Sequence, residues 1–85
     1  MAVQVTIETG SKAEAQLIAE ELPIKAEAHY WRGFGVIRLV AKSRQDVQAL
    51  IEDVSRGFDT HGLHWARVRY EDEERVFKAN GHPAA

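Results

Sequence analysis

Trp31, Phe34 and Trp65 share this 85-residue chain with four arginines that stand near them in sequence, Arg32, Arg38, Arg67 and Arg69. Planar rings interleaved with guanidinium groups can stack on flat ligands and neutralise phosphate. They can equally form the apolar centre and charged rim of a protein interface. Acid–base and metal chemistry have less to work with. Cysteine is absent, which excludes a disulfide framework, thiolate catalysis and a cysteine-based metal site. Asp59, His61 and His64 lie close in sequence. A metal site needs several converging ligands, and no further histidine cluster supplies them, so no metal and no cofactor are expected. His61 reads as a loop residue, and His64 as one that faces the helix side of a sheet or caps a strand start. His29 could move a proton as a neutral imidazole, but no second catalytic group is pinned near it. Gly33 and Gly35 lead into a strand, whereas a phosphate-binding glycine loop leads from a strand into a helix.

The elements that position these groups follow from apolar periodicity. Val3, Val5 and Ile7 alternate with polar residues as a short strand. Ser11-Lys12-Ala13-Glu14 has the pattern of a capping box, Ala13, Leu17, Ile18 and Leu22 follow at helical spacing, and Pro23 ends the helix. Ile24–Trp31 and Phe34–Ala41 read as strands joined by a two-residue turn at Arg32-Gly33. In that register Trp31 meets Phe34, Tyr30 meets Gly35, His29 meets Val36 and Ala28 meets Ile37. Glu27 then meets Arg38, Ala26 meets Leu39, and Ile24 meets Ala41. Each pair joins residues of like character or opposite charge. The expectation is that Tyr30 is buried, its ring covering Gly35. Ser43 starts a second helix with Val47, Leu50, Ile51, Val54 and Phe58 on one stripe. Leu63–Tyr70 is the last strand, Glu71–Glu74 a solvated acidic run, and Val76-Phe77 an isolated apolar pair.

The order β-α-β-β-α-β with right-handed crossovers predicts an α+β, ferredoxin-like domain over residues 1–78. Its four-stranded antiparallel sheet carries both helices on one face, and residues 79–85 form a frayed tail. The helix-covered side takes Val3, Val5, Ile7, Ile24, Ala26, Ala28, Tyr30, Ile37, Leu39, Val68 and Tyr70. The open side takes Lys25, Glu27, His29 and Trp31, then Phe34, Val36, Arg38 and Val40, then Leu63, Trp65, Arg67 and Arg69. A face that meets only water has no use for two tryptophans, a phenylalanine and two valines.

The composition, 45% hydrophobic and 28% charged, is that of a globular protein. No run is long and apolar enough to span a bilayer. The N-terminus has no basic stretch leading into an apolar run, and absent cysteine fits a reducing compartment, so a mature cytoplasmic protein is expected. A net charge of −2 argues against nucleic acid as the main partner.

Arg32-Gly33-Phe34-Gly35-Val36-Ile37-Arg38-Leu39 resembles the ribonucleoprotein octamer of the RNA recognition motif family, on the third strand of the matching element order. The resemblance implies that Arg32 grips phosphate and Phe34 stacks a base. Val36 stands at the second aromatic position and Gln4 at the first-strand aromatic position. Three readings result. The leading one is a non-catalytic interaction or ligand-binding module, homodimeric through its open sheet face, with a small molecule or another protein as further partners. Trp31, Phe34, Val36, Arg38, Val40, Trp65 and Arg67 form its interface, with Val36, Val40 and Phe34 as the dry centre. The second is single-stranded RNA or other nucleic-acid binding through the same aromatics. The third is a small dimeric enzyme with a sheet–helix pocket and His29 or Tyr70 as its acid–base group.

Overall fold

The computed structural model describes residues 2–79. The strands are β1 (Val3–Thr9), β2 (Ala28–Trp31), β3 (Phe34–Ala41), β4 (Trp65–Tyr70) and β5 (Glu73–Lys78). Helix α1 (Lys12–Glu21) follows β1, and α2 (Arg44–Thr60) follows β3. The architecture is α+β, two helices with an antiparallel sheet in the order β2-β3-β1-β4-β5.

The sheet therefore has five strands, which corrects the four-stranded ferredoxin-like expectation. The chain reverses at Glu71-Asp72, with Glu71 at φ 53°, and the acidic run continues as β5. Two contacts hold that strand. Phe77 sets its ring 5.8 Å from Phe58, and Glu74 lies 3.9 Å from Arg67 of β4. Val76 and Phe77 are thus neighbours in a strand, on opposite faces. Residues 80–85 of the expected tail lie outside the described residues; the Ala79 amide donates to the His64 carbonyl at 2.8 Å.

The hairpin at Arg32-Gly33 has both turn residues at positive φ, 50° and 88°, the twist that favoured two-residue hairpins require. Its register matches the sequence reading from Trp31↔Phe34 to Ala28↔Ile37. The pairs that would involve Glu27, Ala26 and Ile24 are not formed, because β2 begins only at Ala28. Residues 23–27 carry the chain from the helix layer to the sheet edge. Ile24 consequently remains 43% exposed, beside a notch that Val40 and Leu50 also line.

Tyr30 is 68% exposed, not buried. Its partner Gly35 explains this. A Cβ there would stand 2.6 Å from the Thr9 hydroxyl and 2.7 Å from the Ala15 methyl, so the first turn of α1 already occupies the surface that the ring was to cover. The caps at Ser11 and Ser43 form as read, their hydroxyls accepting from the amides of Glu14 (3.2 Å) and Asp46 (3.3 Å). In α1 it is Ala15 and Ile18 that are buried, and Ala13 is exposed. The whole α2 stripe is buried. It packs with Ile18, Val5, Ile7, Ile37 and Val68 into one core.

Candidate functional site

On the side of the sheet away from the helices, the register sets side chains in rows. At one end stand Trp31, Phe34, Trp65 and Lys78. The strand β1 ends at Thr9, and Gly10 brings no side chain into this row, so the Phe34 and Trp65 rings approach to 6.1 Å between centroids. Guanidinium groups cover two of the rings, Arg32 at 4.9 Å from the Trp31 centroid and Arg67 at 5.4 Å from Trp65. The next row is His29, Val36, Glu8, Arg67 and Val76, and the third is Arg38, Thr6, Arg69 and Glu74. Val40 and Gln4 make the last.

Electrostatics in the middle row centre on Glu8, whose side chain is 13% exposed. One oxygen receives Arg67 through Nε (2.7 Å) and Nη2 (2.5 Å), and the other lies 3.7 Å from Arg69. Charge is divided between the two sides of the molecule. The open face carries Arg38, Arg67, Arg69 and Lys78 against Glu8 and Glu74, with Glu71 at its edge in the cleft. The helices carry Lys12, Arg44 and Arg56 against Glu14, Glu20, Glu21, Asp46, Glu52, Asp53 and Asp59. A net charge of −2 therefore conceals a basic sheet face.

Of the expected site residues, Trp31 (51% exposed), Phe34 (43%) and Val40 (56%) are accessible on this face. Arg38 is exposed there too, and Trp65 and Arg67 are half-buried. Val36 lies on the face but is only 2% exposed. Flanked by His29 and Glu8, and bordering the same cleft as the Trp31 indole, it offers a partner almost no surface. Of the expected dry centre of Val36, Val40 and Phe34, Val36 is closed within the single chain while the other two remain exposed. Leu63 is not on this face at all. Strand β4 begins at Trp65, and Leu63 lies in the core with its amide bonded to the Phe58 carbonyl at 3.0 Å.

His61 and His64 bind no common centre. His61 Nε2 lies 3.3 Å from Glu21, at the exit of α2. His64 is exposed, with Nδ1 3.7 Å from Glu14, and does not enter the helix side of the sheet. Among the described residues, no three His, Asp or Glu side chains gather as metal ligands.

A cleft of about 590 Å³ opens on the face between Trp31, Arg38, Thr6 and Arg69. Of the β1 side of it, the sequence placed Gln4 on this face but left out Thr6 and Glu8. Gln4, Thr6 and Glu8 alternate with Val3, Val5 and Ile7, and that alternation together with the central place of β1 already assigned them to the open face. Lys78 and Val76 were missed because they needed a fifth strand. Compared with protein-family models, curated proteins and solved structures, the chain matches none.

Proposed function

We propose that the chain is a non-catalytic binding module whose open sheet face takes an anionic partner with flat rings, single-stranded nucleic acid being the class of that description. The observation that carries the reading is the coincidence, on one face, of exposed aromatic side chains with basic side chains that outnumber the carboxylates beside them, while seven of the thirteen acidic residues lie in the helices. Bases stack on such rings without regard to sequence, and basic side chains displace counterions from phosphate. The resemblance of residues 32–39 to the ribonucleoprotein octamer points the same way.

A second copy of the chain is the competing occupant, favoured by the exposure of Val40 and Val76. It would set two basic faces against each other, without Val36 as an apolar centre. Both tryptophans lie on the face, so their fluorescence reports either event. Adding a ten-nucleotide single strand should quench it, with affinity falling steeply as salt rises, and light scattering at high micromolar concentration should give the mass of one chain. Absence of salt-sensitive quenching, together with a two-chain mass, would replace this reading by the homodimer.

A further inference from the structure

We infer that Arg38, Arg69 and the Thr6 hydroxyl form a phosphate subsite, with the Trp31 indole as a wall for the ring attached to that phosphate. The inference rests on the binding-face reading above and names where on it an anion is held. Thr6 lies directly between the two arginines in the sheet, paired with Arg38 of β3 on one side and Arg69 of β4 on the other. All three side chains project to the open face and line the 590 Å³ cleft, as does Trp31. That volume lies within the range of small-molecule sites, about 300–1,000 Å³.

Charge accounting within the cleft decides what it would hold. Two carboxylates line it, Glu8 and Glu71, and both are already engaged. Glu8 receives Arg67 at 2.5 and 2.7 Å, and Glu71 receives Arg44 of α2 at 2.5 Å. Arg38 has no ion pair among the described residues. Arg69 has only the 3.7 Å approach to a carboxylate held more closely by Arg67. The cleft thus keeps two guanidinium forks without a committed counter-charge, and a hydroxyl donor between them. Forked guanidinium donors match the oxygens of phosphate. The ring wall selects against bare phosphate, because stacking on Trp31 adds affinity only where a planar group accompanies the anion.

The test compares the wild type with R38Q/R69Q, and with R56Q as a charge control in the helix layer. Both arginines of the pair are exposed, so the double variant should keep the wild-type far-UV spectrum and melting temperature. Three probes are titrated while amide NMR shifts are followed: inorganic phosphate, a purine nucleoside monophosphate, and a ten-nucleotide single strand. The subsite requires shifts at Thr6, Arg38 and Arg69 with every probe, and at the Trp31 indole only with the last two. The double variant should weaken strand binding about tenfold, and R56Q should leave it unchanged. The log-affinity against log-salt slope of R38Q/R69Q should fall by about 0.7, the share of one phosphate of a single strand.

A fall of about 1.4 would mean that the arginines serve two separate phosphates, and would overturn the shared subsite. Unchanged strand binding in R38Q/R69Q would also overturn it, yet leave the face as a nucleic-acid surface. Phosphate and nucleotide shifts at Thr6 with no strand binding at all would do the reverse, keeping the subsite and removing the nucleic-acid reading. Thr6→Val, which keeps shape and removes the hydroxyl, should weaken nucleotide binding with the fold intact; no change would remove Thr6 from the site.

Discussion

Two glycines of the β2–β3 hairpin should respond to alanine in opposite proportion to their backbone angles. Gly33 has φ +88° and nothing within 4 Å of an added Cβ. Alanine there meets only the conformational penalty of a left-handed residue, about 1 kcal/mol. Gly35 has no such angle, but its added Cβ would stand 2.6 Å from Thr9 Oγ1, 2.7 Å from Ala15 Cβ, and closest of all to the Ser11 carbonyl oxygen. Carbon contacts settle at roughly 3.5–4.0 Å, so the first turn of α1 must retreat by about 1 Å. That turn cannot move freely. The Ser11 carbonyl accepts from the Ala15 amide at 3.1 Å and from the Thr9 hydroxyl at 2.6 Å. Overpacking costs about 1–3 kcal/mol, and weakening the Thr9 hydrogen bond adds about 1 kcal/mol. Against these, alanine lowers the entropy of the unfolded chain and returns about 0.5–1 kcal/mol. Gly35→Ala should therefore cost about 2 kcal/mol, a substantial share of the roughly 4–13 kcal/mol expected of a chain this size. Urea unfolding of both variants, followed by circular dichroism and tryptophan fluorescence, measures the difference. A Gly35→Ala loss below that of Gly33→Ala would show that α1 does not seat on β3, and would refute the account of why Tyr30 is exposed.

Tyr30→Ala should lower stability by less than about 1 kcal/mol, as surface substitutions do; a loss near 3 kcal/mol in the same urea assay would return the ring to the core. Phe77→Ala removes a half-buried ring packed on Phe58 and should cost about 2 kcal/mol, somewhat below the usual figure for a fully buried phenylalanine. A loss under about 0.5 kcal/mol would detach β5 from the domain.

Period-two alternation made most of the sheet legible. Val3, Val5, Ile7, Ile37 and Val68 are in the core where the pattern put them, and the register of the hairpin at its turn end follows from matching side chains across it. Alternation assigns a face, not an exposure. Val36 was read correctly for face and wrongly for access, because what covers it comes from the rows around it and not from its own strand. Tyr30 failed for the converse reason: the residue across from it is a glycine because a helix turn sits there, and only the three-dimensional structure brings Ser11 and Ala15 onto β3. Strand β5 was hidden by composition. Glu71 through Glu74 are acidic residues depleted in strands, and Glu71 takes a positive φ that no Asn-Gly or Asp-Gly signal announced. Leu63 moved because a strand boundary shifted by two residues, from 63 to 65, which is a common error at element ends.

Net charge alone does not say where the charges lie. A chain at −2 reads as one that avoids polyanions, but charge acts over distance. The screening length at physiological salt is about 8 Å, comparable to the roughly 10 Å between packed layers. A ligand on the open face therefore meets Arg38, Arg67, Arg69 and Lys78 together with Glu8, Glu71 and Glu74, and the acidic helices only through the thickness of the sheet. Within the face, Glu8 sets the balance. By drawing Arg67 to within 2.5 Å it neutralises one cation and leaves Arg38 and Arg69 at the cleft. The Glu8 carboxylate is thus taken up by the arginine that also lies over Trp65, and Arg38 and Arg69 stand at the cleft that Trp31, under the Arg32 guanidinium, borders.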